Sequence, residues 1–180
     1  MNAITTEFDA PAVERLIPMA SGSRNILAID IGTTCGWALR DSNDKRRGGS
    51  ISFSARKTDG AGQRWLKFTA HLSALKREVG DLHAIYYEHV MAHGTKDRPN
   101  TIAAHVYGGF LAQLEIFCDV NRIRLEPVGV GEVKKHWTGK GNAKKDAMVA
   151  EAKRRGLRVE DDNHADALAI LDLAIARESA

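Results

Sequence analysis

The chain has 180 residues, 43% hydrophobic and 27% charged, with a net charge of +3. That length supports one domain with a real core rather than two, and no apolar run reaches the length of a membrane span, so the composition is that of a soluble globular protein. Cys35 and Cys118 lie far apart, which argues against a disulfide framework or a thiolate metal site and leaves both as packing residues.

Residues 1–24 mix acids, Arg15 and two prolines and end in the turn-like SGS. They lack the basic start and apolar core of a signal peptide and read as a flexible N-terminal extension of a cytoplasmic protein, with the domain occupying 25–180. Three strand-like segments follow closely, at 26–31, 35–40 and 48–54, as an antiparallel meander. Over 62–79, Trp65, Phe68, Leu72 and Leu75 recur at spacings of three and four and predict an amphipathic helix. LHAIYYEHV, residues 82–90, returns to strand composition. Pro99 suits the first turn of a helix over 99–119 whose stripe is Ile102, Val106, Phe110, Leu114 and Phe117. A strand at 123–129 precedes a short helix, a GKGN turn at 139–142, a helix over 143–155 ended by Gly156, and a last helix over 163–177. This order predicts an α/β chain of ribonuclease H-like fold, with a mixed five-stranded sheet flanked by helices.

Charge is unevenly spread. Residues 134–158 hold nine Lys or Arg against Asp146 and Glu151, a local excess of +7 that leaves the remainder at −4. Such a segment suits a polyanion, nucleic acid above all, although a solvated helix face has the same composition. Three acids sit in apolar surroundings. Asp30 lies at the centre or end of the first strand, Glu88 near the end of the fourth, and Asp166 shares a helix stripe with Ala169, Ile170 and Leu173 and therefore faces the sheet. Each alone reads as a cap, a dipole partner or half of an ion pair. Together, carboxylates turned inward cannot all stay ionised without a cation. A hard divalent ion such as Mg²⁺ takes oxygen ligands and keeps waters, and two such ions about 3.5 to 4 Å apart suit phosphodiester hydrolysis.

LAIDIGTTCGWAL, YYEHV, VKKHWTGKGNAKKDAMV and DDNHADALAIL, in this order and spacing, resemble the RuvC-like Holliday junction resolvases, in particular divergent phage-type members. The resemblance spans about residues 26–176. It implies a homodimeric endonuclease, dependent on Mg²⁺ with Mn²⁺ as substitute, that nicks four-way and other branched DNA and leaves a 5′-phosphate. Asp30, Glu88 and Asp166 match the family's metal-binding acids. The position that usually supplies one more ligand is Asn163, with Asp162 an alternative one helical turn before Asp166 and His164 a less well aligned one. Lys134 and Lys145 match the basic positions near the scissile phosphate, while Lys135, Lys140 and Lys144 suit the DNA backbone. Met91 stands where relatives present an apolar residue to the junction, and packing under a loop is its plain alternative. Gly108, Gly109 and Phe110 could form a close dimer contact.

Other readings are weaker. DIGTT also resembles the first phosphate loop of the actin and sugar-kinase ATPases, which need two such halves. His89 and His93 lack a third ligand at a convincing spacing for zinc. A nuclease acting on RNA or an RNA/DNA hybrid, and a non-catalytic junction-binding protein, are the alternatives to a DNA junction nuclease.

Overall fold

The computed structural model describes residues 24–91, 94, 95 and 97–179. The predicted N-terminal extension, apart from Arg24, and His93 lie outside the described residues. Strands β1 (Ile26–Asp30), β2 (Thr34–Arg40) and β3 (Arg46–Ser52) form the antiparallel meander, and β4 (Ala84–His89) and β7 (Arg124–Gly129) extend it in parallel. The sheet order is β3-β2-β1-β4-β7, with β1 and β4 central. Both faces of β1 are covered, which is why ILAI is a continuous apolar run rather than an alternating one.

Helices α1 (Gln63–Val79) and α2 (Thr101–Asn121) cover one face. There Leu27, Ile29, Leu39, Ile85 and Tyr87 meet Phe68, Leu72, Phe110, Leu114 and Phe117. Helices α3 (Val130–Thr138), α4 (Lys145–Arg154) and α5 (Asp162–Glu178) cover the other, where Ile26, Ala28, Ala84 and Tyr86 meet Ala165, Ala169, Ile170 and Leu173. The glycines expected to stop helices do so. Gly139 ends α3 with φ of 80° and Gly156 follows α4 with φ of 75°, values that cost other residues a steric penalty. Among the described residues no helix is long and apolar enough to cross a membrane.

Three expectations are corrected. Pro99 does not open α2; it lies in β6 (Arg98–Pro99), which pairs with β5 (Gly94–Thr95), and Asn100 caps the helix by accepting from the Ala103 N–H at 3.0 Å. An asparagine side chain satisfies an orphan donor that proline cannot, so the boundary falls after it. The α2 stripe holds at Val106, Phe110, Leu114 and Phe117 but not at Ile102, which is 76% exposed, and Tyr107 joins the core with its hydroxyl accepting from the Val90 N–H and donating to the Glu88 carbonyl. Finally, Gly109 and Phe110 serve this chain's own core. A Cβ at Gly109 would lie 2.5 Å from the Trp65 ring, and Phe110 is fully buried against Phe53, Trp65 and Phe68.

Candidate active site

Side chains alternate along a strand, so Asp30 shares the face of Ile26 and Ala28. Glu88 shares the face of Ala84 and Tyr86 for the same reason. The parallel register matches Ile29 with Tyr87, and its continuation sets Asp30 beside Glu88, both on the side of the sheet that α5 covers. Asp166, in the second turn of α5, comes down onto this pair from above.

Glycines let the helix approach. Gly36 is the register partner of Asp30, and a Cβ there would stand 1.9 Å from the Asn163 backbone oxygen. A Cβ at Gly48 would stand 2.7 Å from His164 Nε2. The start of α5 therefore lies directly on β2 and β3, at a distance only unsubstituted backbone permits. Hydrogen bonds pin it there. Asp161 caps α5 by accepting from the His164 N–H at 2.9 Å and also accepts from the Ser50 hydroxyl, while the Ser50 N–H donates to Glu160 at 2.9 Å. Sequence reasoning did not single out Ser50, Asp161 or Gly36. Glycines inside strand patterns at 36, 48 and 49 were the available signal.

The electrostatics bind the acids into one cluster. The Asp30 carboxyl stands at about 8 instead of 3.8 because it is buried and because Glu88, then Asp166, add like charge; Lys145 acts in the opposite direction. Glu88 is raised to about 6 by burial and by Asp166, opposed by Lys134. Burial also raises Asp166 to about 6 against the pull of Lys134 and Lys145. Among the described residues no hydrogen bond or ion pair reaches any of these three carboxylates, which leaves their oxygens without a donor. Three half-buried carboxylates held this close are costly unless a cation or a proton meets them.

The remaining expected residues divide clearly. Asp162 acts electrostatically on Asp30 and Asp166 and is ion-paired to Lys145 Nζ. The Asn163 side chain instead hydrogen-bonds Asp161 and helps to hold its carboxyl below the ordinary value, although burial works the other way. His164 is buried, its ring kept neutral mainly by desolvation, and its Nδ1 accepts from the Glu160 N–H at 3.2 Å. Lys134 and Lys145, from α3 and α4, both act on the acids, whereas Lys135, Lys140 and Lys144 do not. Lys140 and Lys144 line an open hollow with Asn142 and Arg154 between the GKGN turn and α4. Met91 does not pack under a loop. It is 91% exposed, at the rim of an apolar hollow with Pro127, Val128 and Gly129. As they stand, no three His, Cys, Asp or Glu side chains among the described residues are arranged to hold a metal ion.

No family model and no curated protein sequence matches the chain. Solved structures do. Thermus thermophilus RuvC in complex with a Holliday junction substrate superposes with a TM-score of 0.66 at 20% identity, over 82% of this chain and 90% of that one. The fold is that of RuvC. A second Thermus thermophilus RuvC structure gives 0.61 at 20% identity over 81% and 90% of the two chains. The yeast mitochondrial Holliday junction resolvase Ydc2 gives 0.58 at 12% identity over 83% and 76%. The RuvC fold brings together Asp30, Glu88 and Asp166, which are up to 136 residues apart in sequence, by setting β1 against β4 and laying α5 across both.

Proposed function

We propose that this chain is a divalent-metal-dependent endonuclease that nicks four-way and related branched DNA, acting as a homodimer in the cytoplasm. One observation carries the reading: three half-buried carboxylates without hydrogen-bond donors among the described residues converge at the ends of β1 and β4 beneath α5, with Lys134 and Lys145 beside them. The donor set is all oxygen, which fits Mg²⁺, or Mn²⁺ in its place. Asp30, Glu88 and Asp166 would hold the metal. Asp162 is the better fourth ligand than Asn163, because it carries charge and already acts on Asp30 and Asp166 while the Asn163 amide is engaged by Asp161. Mg²⁺ is usually held by one or two carboxylates together with substrate phosphate oxygens.

When bound, the metal supplies Lewis-acid polarisation of the phosphoryl oxygen and lowers the pKa of its water. The protein's own groups do the rest. Lys134 faces the negative charge that builds on the phosphate, so its removal is expected to slow cleavage about 100-fold. The basic segment 134–158 holds the backbone, through Lys135, Lys140 and Lys144. Met91, exposed at the end of β4, offers an apolar surface to bases unstacked at a branch point.

Cleavage of a labelled four-way junction beside duplex, fork and RNA/DNA hybrid controls, with Mg²⁺ and with EDTA, tests this. Symmetric metal-dependent nicking of the junction, reduced about 1,000-fold (about 4 kcal/mol) in Asp30→Asn, is the expected result. Preferential cutting of the hybrid would assign the chain to the ribonucleases. Tight binding without cutting would make it a junction-binding protein, a second reading that the Lys145–Asp162 ion pair favours, since it occupies a carboxylate a nuclease needs free.

A further inference from the structure

The loop after β3 leaves the sheet beside the carboxylates. Thr34 pairs with Ser52 and the Phe53 N–H donates to the Thr33 carbonyl at 2.7 Å, so residues 53–62 emerge at the end of the sheet where Asp30 lies. Two strand spacings, about 10 Å, separate β3 from β1. Asp59 accepts from Lys67 Nζ at 2.7 Å and from the Arg56 N–H at 3.0 Å, and its own N–H donates to the Arg56 carbonyl at 3.0 Å, which closes the turn. Arg56 and Lys57 are left exposed at the tip, and neither forms a salt bridge among the described residues. Arg64, in the first turn of α1, lies over the Trp65 ring at 5.5 Å.

Resting on the nuclease reading above, we propose that Arg56, Lys57 and Arg64 form a second track for the DNA backbone. It lies past the β3 edge of the sheet, at the end where Asp30 ends β1. Contacts of these cations with phosphates position the DNA rather than read its sequence.

The test is fluorescence anisotropy of a labelled four-way junction against KCl concentration, in EDTA, for the wild type, for Arg56→Ala/Lys57→Ala and for a control, Lys76→Ala/Arg77→Ala, in the last turn of α1. The last turn lies about 20 Å along the helix from the track. Each lost phosphate contact removes about 0.9 from the slope of log affinity against log salt, so the loop variant should lose about 2 units and about tenfold in affinity, with the control unchanged. An unchanged slope in the loop variant, or an equal fall in the control, would overturn the track. Junction cleavage by the wild type is scored separately: a lowered slope without cleavage retains the track and defeats the nuclease reading, and intact cleavage with an unchanged slope does the reverse.

Discussion

The two faces of the sheet are both dry, yet they are built from different residues. On the α1/α2 face, Phe53, Phe68, Phe110 and Phe117 interlock with Leu and Ile from the strands. On the α5 face, beside Ile26, Tyr86, Ile170 and Leu173, many contacts are small: Ala28, Ala38 and Ala84 from the sheet and Ala165, Ala167, Ala169 and Ala174 from the helix, with Gly36 and Gly48 where α5 begins. Large side chains maximise the apolar area removed from water, and small ones minimise the distance between backbones. The first face therefore supplies much of the stability. The second gives some of that up to lower the acid of α5 onto those of β1 and β4, and the carboxylates at its end add a further cost.

Substitutions can separate the two. Phe110→Ala should cost about 3 to 5 kcal/mol of stability by chemical denaturation, while the cleavage rate per folded molecule stays at the wild-type level. Gly36→Ala should behave in the opposite sense. Its Cβ meets backbone, which cannot swing away as a side chain can, so the start of α5 must shift; a loss of about 1 to 3 kcal/mol should accompany a larger proportional loss of cleavage. Equal effects of the two substitutions on cleavage would dissolve the distinction between the faces.

Subtler tests act on the charges. Asp30 stands at about 8 in the folded chain and near 3.8 when unfolded. Between those values the folded state holds a proton that the unfolded state has released, so the stabilisation is complete below about pH 4 and is lost as pH rises through about 8. Thermal denaturation in EDTA should show the melting temperature falling from about pH 5 to about pH 8.5, and Asp30→Asn should flatten part of that fall. Added Mg²⁺ should flatten it as well, since a bound cation replaces the proton. The smallest effect concerns Lys145, whose ion pair with Asp162 is largely exposed. Lys145→Met should tighten Mn²⁺ binding to the DNA-free protein by no more than about fivefold in calorimetry, the range such a pair is worth.

The order of strands and helices was legible from residue patterns, because periods of two and of three to four are local properties of the chain. So was the inward direction of Asp166, written in Ala169, Ile170 and Leu173 on the same stripe. Boundaries read from one residue type were less secure: Pro99 suggested a helix start that Asn100 in fact provides, and Ile102 extended the α2 stripe to a residue that is exposed.

What only the tertiary structure decided were the pairings between distant segments. Periodicity states which face of an element is apolar, but not what lies across from it. That Gly36 gives way to the backbone of Asn163, that Asn163 serves Asp161 while Asp162 engages Lys145, and that Gly109 receives Trp65 are facts about residues 17 to 127 positions apart, or about which of two neighbours a side chain selects. The same holds for charge: the order of residues leaves open which cation Asp59 pairs with, and in the fold it is Lys67, while Arg56 and Lys57 are turned to solvent. By itself the sequence determined the elements and the acids they carry. Docking α5 on a glycine-lined sheet determined which of those acids meet, because contact distance is set by packing between elements and not by the order of residues within them.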